Sequence, residues 1–187
     1  MKKNILVISA PSGGGKTSVI NHILSDYPIF NFSISTTTRP KRTDEIHGQH
    51  YYFINNKEFQ NKIHNNDFIE FEKIFNNYYG TQHQEIQRIL NLNKIPIFDI
   101  DVKGAYAIQK HYPNNSLLIF LKPPSLDILK QRLTNRNTET NKEINLRLQR
   151  AELEINMSNN FNYILINDNL EQLLQQIHTI IKKYFFQ

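Results

Sequence analysis

The chain has 187 residues, 39% of them hydrophobic and 21% charged, which suits one buried core with room for a small inserted unit, and is short for two full domains. Its formal net charge of +5 points to an anionic partner, either nucleic acid or phosphorylated metabolites. It has no cysteine, which excludes disulfides, thiolate metal sites and cysteine nucleophiles and fits a reducing cytoplasm.

The first apolar run, residues 5–9, follows two lysines in the manner of a leader peptide. It is too short for one and meets a Gly-rich turn at once, so it reads as a buried strand. No stretch approaches the ~20 apolar residues of a membrane span, and the expectation is a soluble cytoplasmic protein with no membrane contact. Strand-length apolar runs recur at 95–100, 117–121 and 163–166, each followed by a turn signal and a helical pattern. Helical spacing runs through 17–24, 125–133, 144–155 and 170–184. This βαβ rhythm predicts an α/β core around a parallel sheet, and the Gly-rich turn ending in Lys-Thr after the first strand makes it a three-layer core of the P-loop NTPase type.

Between the first strand and the first helix stands Ala10-Pro11-Ser12-Gly13-Gly14-Gly15-Lys16-Thr17. Strand, Gly-rich loop, Lys-Thr and helix are together the context that the Walker A pattern requires. Glycines let backbone N–H groups turn inward around phosphate oxygens, Lys16 can neutralise the β and γ phosphates, and Thr17 can offer its hydroxyl to Mg²⁺. Ala10 stands where the bare pattern has Gly, so its backbone is expected at negative φ.

Residues 32–84 break the rhythm with short mixed strands, many Tyr and Phe, and one helix capped by Asn55 with Glu58 three residues on. This inserted segment interleaves Arg39 and Arg42 with Tyr51, Tyr79 and the carboxylate of Glu70. The two guanidinium groups can fork onto a phosphate monoester, the two phenols can complete its shell, and Glu70 can read a base. Taken alone, Glu70 between Ile69 and Phe71 reads more readily as a solvated strand carboxylate.

A second break, 134–142, is polar and lies between two Arg-bearing helices, a composition suited to a mobile lid. Arg132 and Arg147 flank it, Arg136 lies within it, and all three can stabilise developing charge; Arg150 reads instead as a surface partner of Glu154. Asp99 and Asp101 share one side of the strand end at 95–100, at the carboxyl edge where α/β folds bind ligands. They serve the nucleotide or its Mg²⁺, or, for Asp101, cap the helix that starts near Val102. The seven histidines are scattered, without metal spacing.

In chain order, the phosphate loop, Ser35-Thr36-Thr37-Thr38-Arg39, Phe68-Ile69-Glu70, Tyr78-Tyr79-Gly80, Asp99-Ile100-Asp101, Arg136-Asn137-Thr138-Glu139 and Ile166-Asn167-Asp168 resemble the guanylate kinase family over nearly the whole length. Pro40 directly after Arg39 and Asn137 after Arg136 depart from the usual family text, although the spacing of the arginines is kept.

The resemblance implies an enzyme that passes the γ-phosphoryl group of ATP to GMP, and to dGMP, with Mg²⁺ arriving as MgATP, no tightly held protein-ligated metal and no nucleic-acid partner. It implies a core at 1–31, 85–133 and 148–187, an inserted mixed α+β GMP-binding subdomain at 32–84 and a helical lid at 134–147. ATP falls to Ala10, Pro11, Ser12, Gly13, Gly14, Gly15, Lys16, Thr17, Arg132 and Asn167, with Thr17 on the metal. The GMP phosphate falls to Arg39, Arg42, Tyr51 and Tyr79, and guanine to Ser35, Glu70 and Thr81, with Asp99 and Asp101 beside them. Lys16, Arg39, Arg136 and Arg147 are the implied catalytic cations. Guanine offers N1–H and a 2-amino group as parallel donors that one carboxylate accepts together, and adenine lacks that pair. An unpaired buried carboxylate costs several kcal/mol, enough for discrimination on the order of 10⁴.

Overall fold

The computed structural model describes residues 3–74, 76–135 and 140–186. Five parallel strands form the main sheet: β1 (Ile5–Ser9), β2 (Phe30–Phe32), β7 (Ile95–Asp99), β8 (Ser116–Lys122) and β9 (Tyr163–Ile166), in the order β2-β7-β1-β8-β9. The two-residue side-chain period of β1 splits its apolar run between two cores. Leu6 and Ile8 enter one cluster with Val19, Ile23 and Ile177, whereas Ile5 and Val7 enter the other with Phe98, Ile108 and Phe120. Both faces are covered, which is why these strands read as continuous apolar runs.

Helices α1 (Lys16–Asp26) and α7 (Leu170–Phe185) cover the first face; α3 (His83–Asn91) and α4 (Val102–His111) cover the second. On α7 the buried stripe is Leu173, Ile177, Ile180, Ile181 and Phe185, so the core takes Ile180 and Phe185 while Leu170 lies exposed. Helix α5 (Leu126–Thr134) packs on α6 (Asn141–Met157) through Leu129, Leu133, Ile144 and Ala151. α6 starts three residues before the expected apolar stripe because Thr140 and Glu143 form a capping box.

A second, four-stranded sheet is built from β3 (Thr36–Thr37), β4 (Tyr52–Phe53), β5 (Phe68–Ile74) and β6 (Asn77–Gln82), in the order β4-β3-β6-β5. Helix α2 (Asn56–His64) has the expected capping box of Asn55 and Glu58 and buries Phe59 against Phe68 and Tyr78. The smaller unit is therefore held by aromatic packing. It is tied to the main core by the buried Glu85 of α3, which accepts hydrogen bonds from Ile34 N–H (2.8 Å) and the Tyr52 hydroxyl (3.2 Å). β2 keeps Phe32 in the main sheet, one residue past the expected boundary.

Candidate active site

The two sheets face each other across a cleft of about 470 Å³. The phosphate loop forms one wall. Gly13 and Gly15 both have φ +85°, a left-handed conformation that side chains with Cβ rarely adopt. The non-glycine residues at positive φ among those described are Asn66 and Asn93, so Ala10 keeps the backbone expected of it. Gly14 N–H donates to Pro11 O at 2.8 Å, closing the turn. Lys16, the first residue of α1, places Nζ 3.0 Å from Asp99 Oδ1. Arg147 of α6 donates from Nη1 to Ser12 Oγ at 2.6 Å.

The opposite wall carries Ser35, Arg39, Arg42, Tyr51, Glu70 and Tyr79, and the floor carries Asp99 and Asp101. Arg39 forks onto Glu45, with Nη1 at 2.9 Å and Nη2 at 2.5 Å, and its guanidinium lies over Tyr51 and Phe53. That hydrogen bonding holds the Glu45 carboxyl down at about 2. Burial, and then the negative charge of Asp99, push the Tyr51 hydroxyl up to about 12, so it remains a donor.

Glu70 sits on β5 beside a break in register between Phe68 and Glu70. Such an irregularity re-aims side chains: Ile69 goes to the core while the Glu70 carboxylate lines the cleft. The solvated alternative is thereby set aside. Thr81 lies behind the carboxylate and donates to its Oε1 at 2.6 Å. Burial pushes Glu70 up to about 7.

Three expected residues, Thr81, Asn167 and Arg132, stand outside the lining of the cleft. Asn167 is buried behind the loop and donates from Nδ2 to Gly14 O at 2.8 Å. Arg132 donates to Asn167 O at 2.9 Å. Arg136 lies outside the described residues. Asp101 does both of the things open to it: its side chain accepts from Gly104 N–H at the start of α4, and it lines the cleft.

Sequence reasoning missed Glu45, Glu72 and the larger role of Arg150. Arg150 does meet Glu154 (2.8 Å), as its spacing indicated, but also Glu72 and Asp101 at 2.9 Å each, on the cleft wall. Burial works to raise Glu72, but hydrogen bonding to Asp101 and Lys103 outweighs it and holds that carboxyl at about 2. Burial, then hydrogen bonding with Glu72, pushes Asp101 up to about 7. Glu70 and Glu72 share a strand face, and that two-residue spacing was the signal available.

A phosphate loop and a base-sized polar wall opening on one cleft define a P-loop nucleoside monophosphate kinase. The chain belongs to the guanylate kinase family, whose model, described as guanylate kinase, matches residues 2–184. It is 40% identical over 180 residues to a guanylate kinase of Chlorobium luteolum, covering 96% of this chain and 91% of the relative. A guanylate kinase of Mesomycoplasma hyopneumoniae is 43% identical over 185 residues, covering 96% and 94%. The crystal structure of guanylate kinase from Anaplasma phagocytophilum superposes with a TM-score of 0.79 at 27% identity, covering 100% of this chain and 88% of that one.

Proposed function

We propose that the cleft works as a guanylate kinase in which the main sheet holds ATP and the smaller sheet holds GMP. The observation that supports this most is that the phosphate loop and the carboxylate of Glu70, held from behind by Thr81, line the same cleft. The loop from Ala10 to Thr17 wraps the triphosphate, Asn167 and Arg132 brace it, and Lys16 leaves Asp99 for the β and γ phosphates. Arg39, Arg42, Tyr51 and Tyr79 take the GMP phosphate, while Ser35 and Glu70 take guanine and Thr81, expected on the base, braces the carboxylate from behind. By likeness to the family, dGMP is accepted as well.

The acceptor phosphate is largely a dianion near neutral pH and needs little general-base help. What the transfer needs is positive charge in a closed site. Lys16, Arg39 and Arg147 supply it, with Arg136 beyond the described residues. In this reading the acceptor unit is the expected 32–84 less Phe32, which stays in the main sheet, and the lid is 134–147, of which 136–139 lie outside the described residues. Among the described residues no group of three His, Asp or Glu side chains is placed to hold a metal. The hydroxyl of Thr17 and the carboxylate of Asp99 are hard oxygen donors that fit Mg²⁺ carried in by ATP. Bound there, the ion neutralises charge on the β and γ phosphates.

No helix among the described residues is long and apolar enough to cross a membrane; a cytoplasmic site of action fits the absence of cysteine. An acceptor screen with MgATP and the common nucleoside monophosphates tests the reading: ADP forms with GMP and dGMP. Equal turnover with AMP rejects it.

A further inference from the structure

Helix α4 meets β5 at Gly104, its third residue. A Cβ placed on Gly104 stands 3.0 Å from Glu70 Oε2 and 3.2 Å from its Cδ, inside ordinary van der Waals contact, while the next neighbour, Ile100 Cβ, is at a normal 3.4 Å. The carboxylate has little freedom to retreat. Its other oxygen is held by Thr81, and its own backbone carbonyl lies 2.9 Å from where a Cβ on Gly80 would stand.

We propose that Gly104 is a positioning residue for guanine selectivity: the side chain it lacks is the slot in which the Glu70 carboxylate stands. This rests on the reading of Glu70 as the carboxylate that faces guanine. Gly104 has no positive φ, and its N–H bonds to Asp101 whatever the side chain. Alanine, a better helix former than glycine, therefore fits the backbone here. A methyl group there forces the carboxylate to give by a few tenths of an ångström, away from the position in which it meets the base, and its nearest neighbours include neither the phosphate loop nor Arg39.

The test is a double-mutant cycle of Gly104→Ala and Glu70→Ala, with kcat and KM measured for GMP and AMP and melting temperature followed for each protein. Gly104→Ala is expected to raise KM for GMP roughly tenfold, with kcat changed less than about threefold. In the Glu70→Ala background it is expected to change nothing further. If Glu70→Ala keeps its preference for GMP, the base-reading assignment is wrong. If Glu70→Ala loses that preference but Gly104→Ala keeps KM within about twofold, the slot proposal alone is overturned. Equal effects of Gly104→Ala in both backgrounds also overturn it, because the methyl group then acts on the ligand or helix directly. A melting temperature that falls in Gly104→Ala and recovers when Glu70→Ala is added locates the clash on Glu70; one that falls in both backgrounds does not, and rejects the proposal.

Discussion

The side-chain amide of Asn167 donates to the carbonyl of Gly14, joining the chain just after β9 to the phosphate loop. The contact is close: a Cβ on Gly15 would stand 2.3 Å from the same nitrogen. Asn167→Ala leaves the Gly14 carbonyl without its donor, at about 1–3 kcal/mol. We expect a lower melting temperature together with a raised KM for ATP, and an unchanged KM for GMP. Asn167→Asp should be worse, because it sets an acceptor against an acceptor.

Glu45 holds Arg39 in a two-pronged grip, and Glu45→Ala leaves that guanidinium with its aromatic neighbours and the Pro40 carbonyl. KM for GMP is expected to rise roughly tenfold, equivalent to about 1.4 kcal/mol, with KM for ATP unchanged. The Glu45 carboxyl is held at about 2, below its unfolded value. Its contribution to stability is therefore present above about pH 4.5 and is lost as pH falls towards 2. Acid unfolding of Glu45→Gln should lack that component.

Glu70 behaves oppositely, since its carboxyl is raised to about 7. The folded state holds this proton more tightly, so the contribution to stability is present below about pH 4.5 and is lost as pH rises through 7. Guanine needs the ionised carboxylate, so kcat/KM for GMP should climb with pH towards a plateau above about 7. The phosphate of GMP titrates near 6 in any variant. Comparison with Glu70→Gln isolates the carboxylate, and superimposable profiles would contradict the assignment.

Arg150→Met removes the cation shared by Glu72, Asp101 and Glu154. Because Arg150 is partly exposed, the loss should be about 1–3 kcal/mol, below the larger cost of breaking a fully buried pair. Denaturant melts should show a smaller loss at pH 5 than at pH 8, where Asp101 is ionised.

Strands β1 and β9 were legible to the residue, because apolar runs bounded by turn signals leave few alternatives. The capping box of α2 was equally plain, and the same signature at Thr140 and Glu143 marks the start of α6. Side-chain direction was less legible. Alternation alone does not say that Glu70 faces a cleft, because the register shift beside it is a tertiary feature. Glu45 lies in a loop without periodicity, and its pairing with Arg39 depends on the path of that loop. Arg150 matched a helix-surface pair that does form, and this concealed the two contacts made across the cleft.

Three of the cleft's cations are engaged before any substrate arrives: Lys16 with Asp99, Arg39 with Glu45 and Arg147 with Ser12. For Lys16 and Arg147 nucleotide binding is thus an exchange of partners, while Arg39 keeps Glu45 as its brace. A stray polyanion meets charge that is already screened from within, and only a ligand whose phosphates reach several of these positions together displaces the internal partners. Added salt should accordingly weaken substrate binding less than a count of the arginines and lysines suggests.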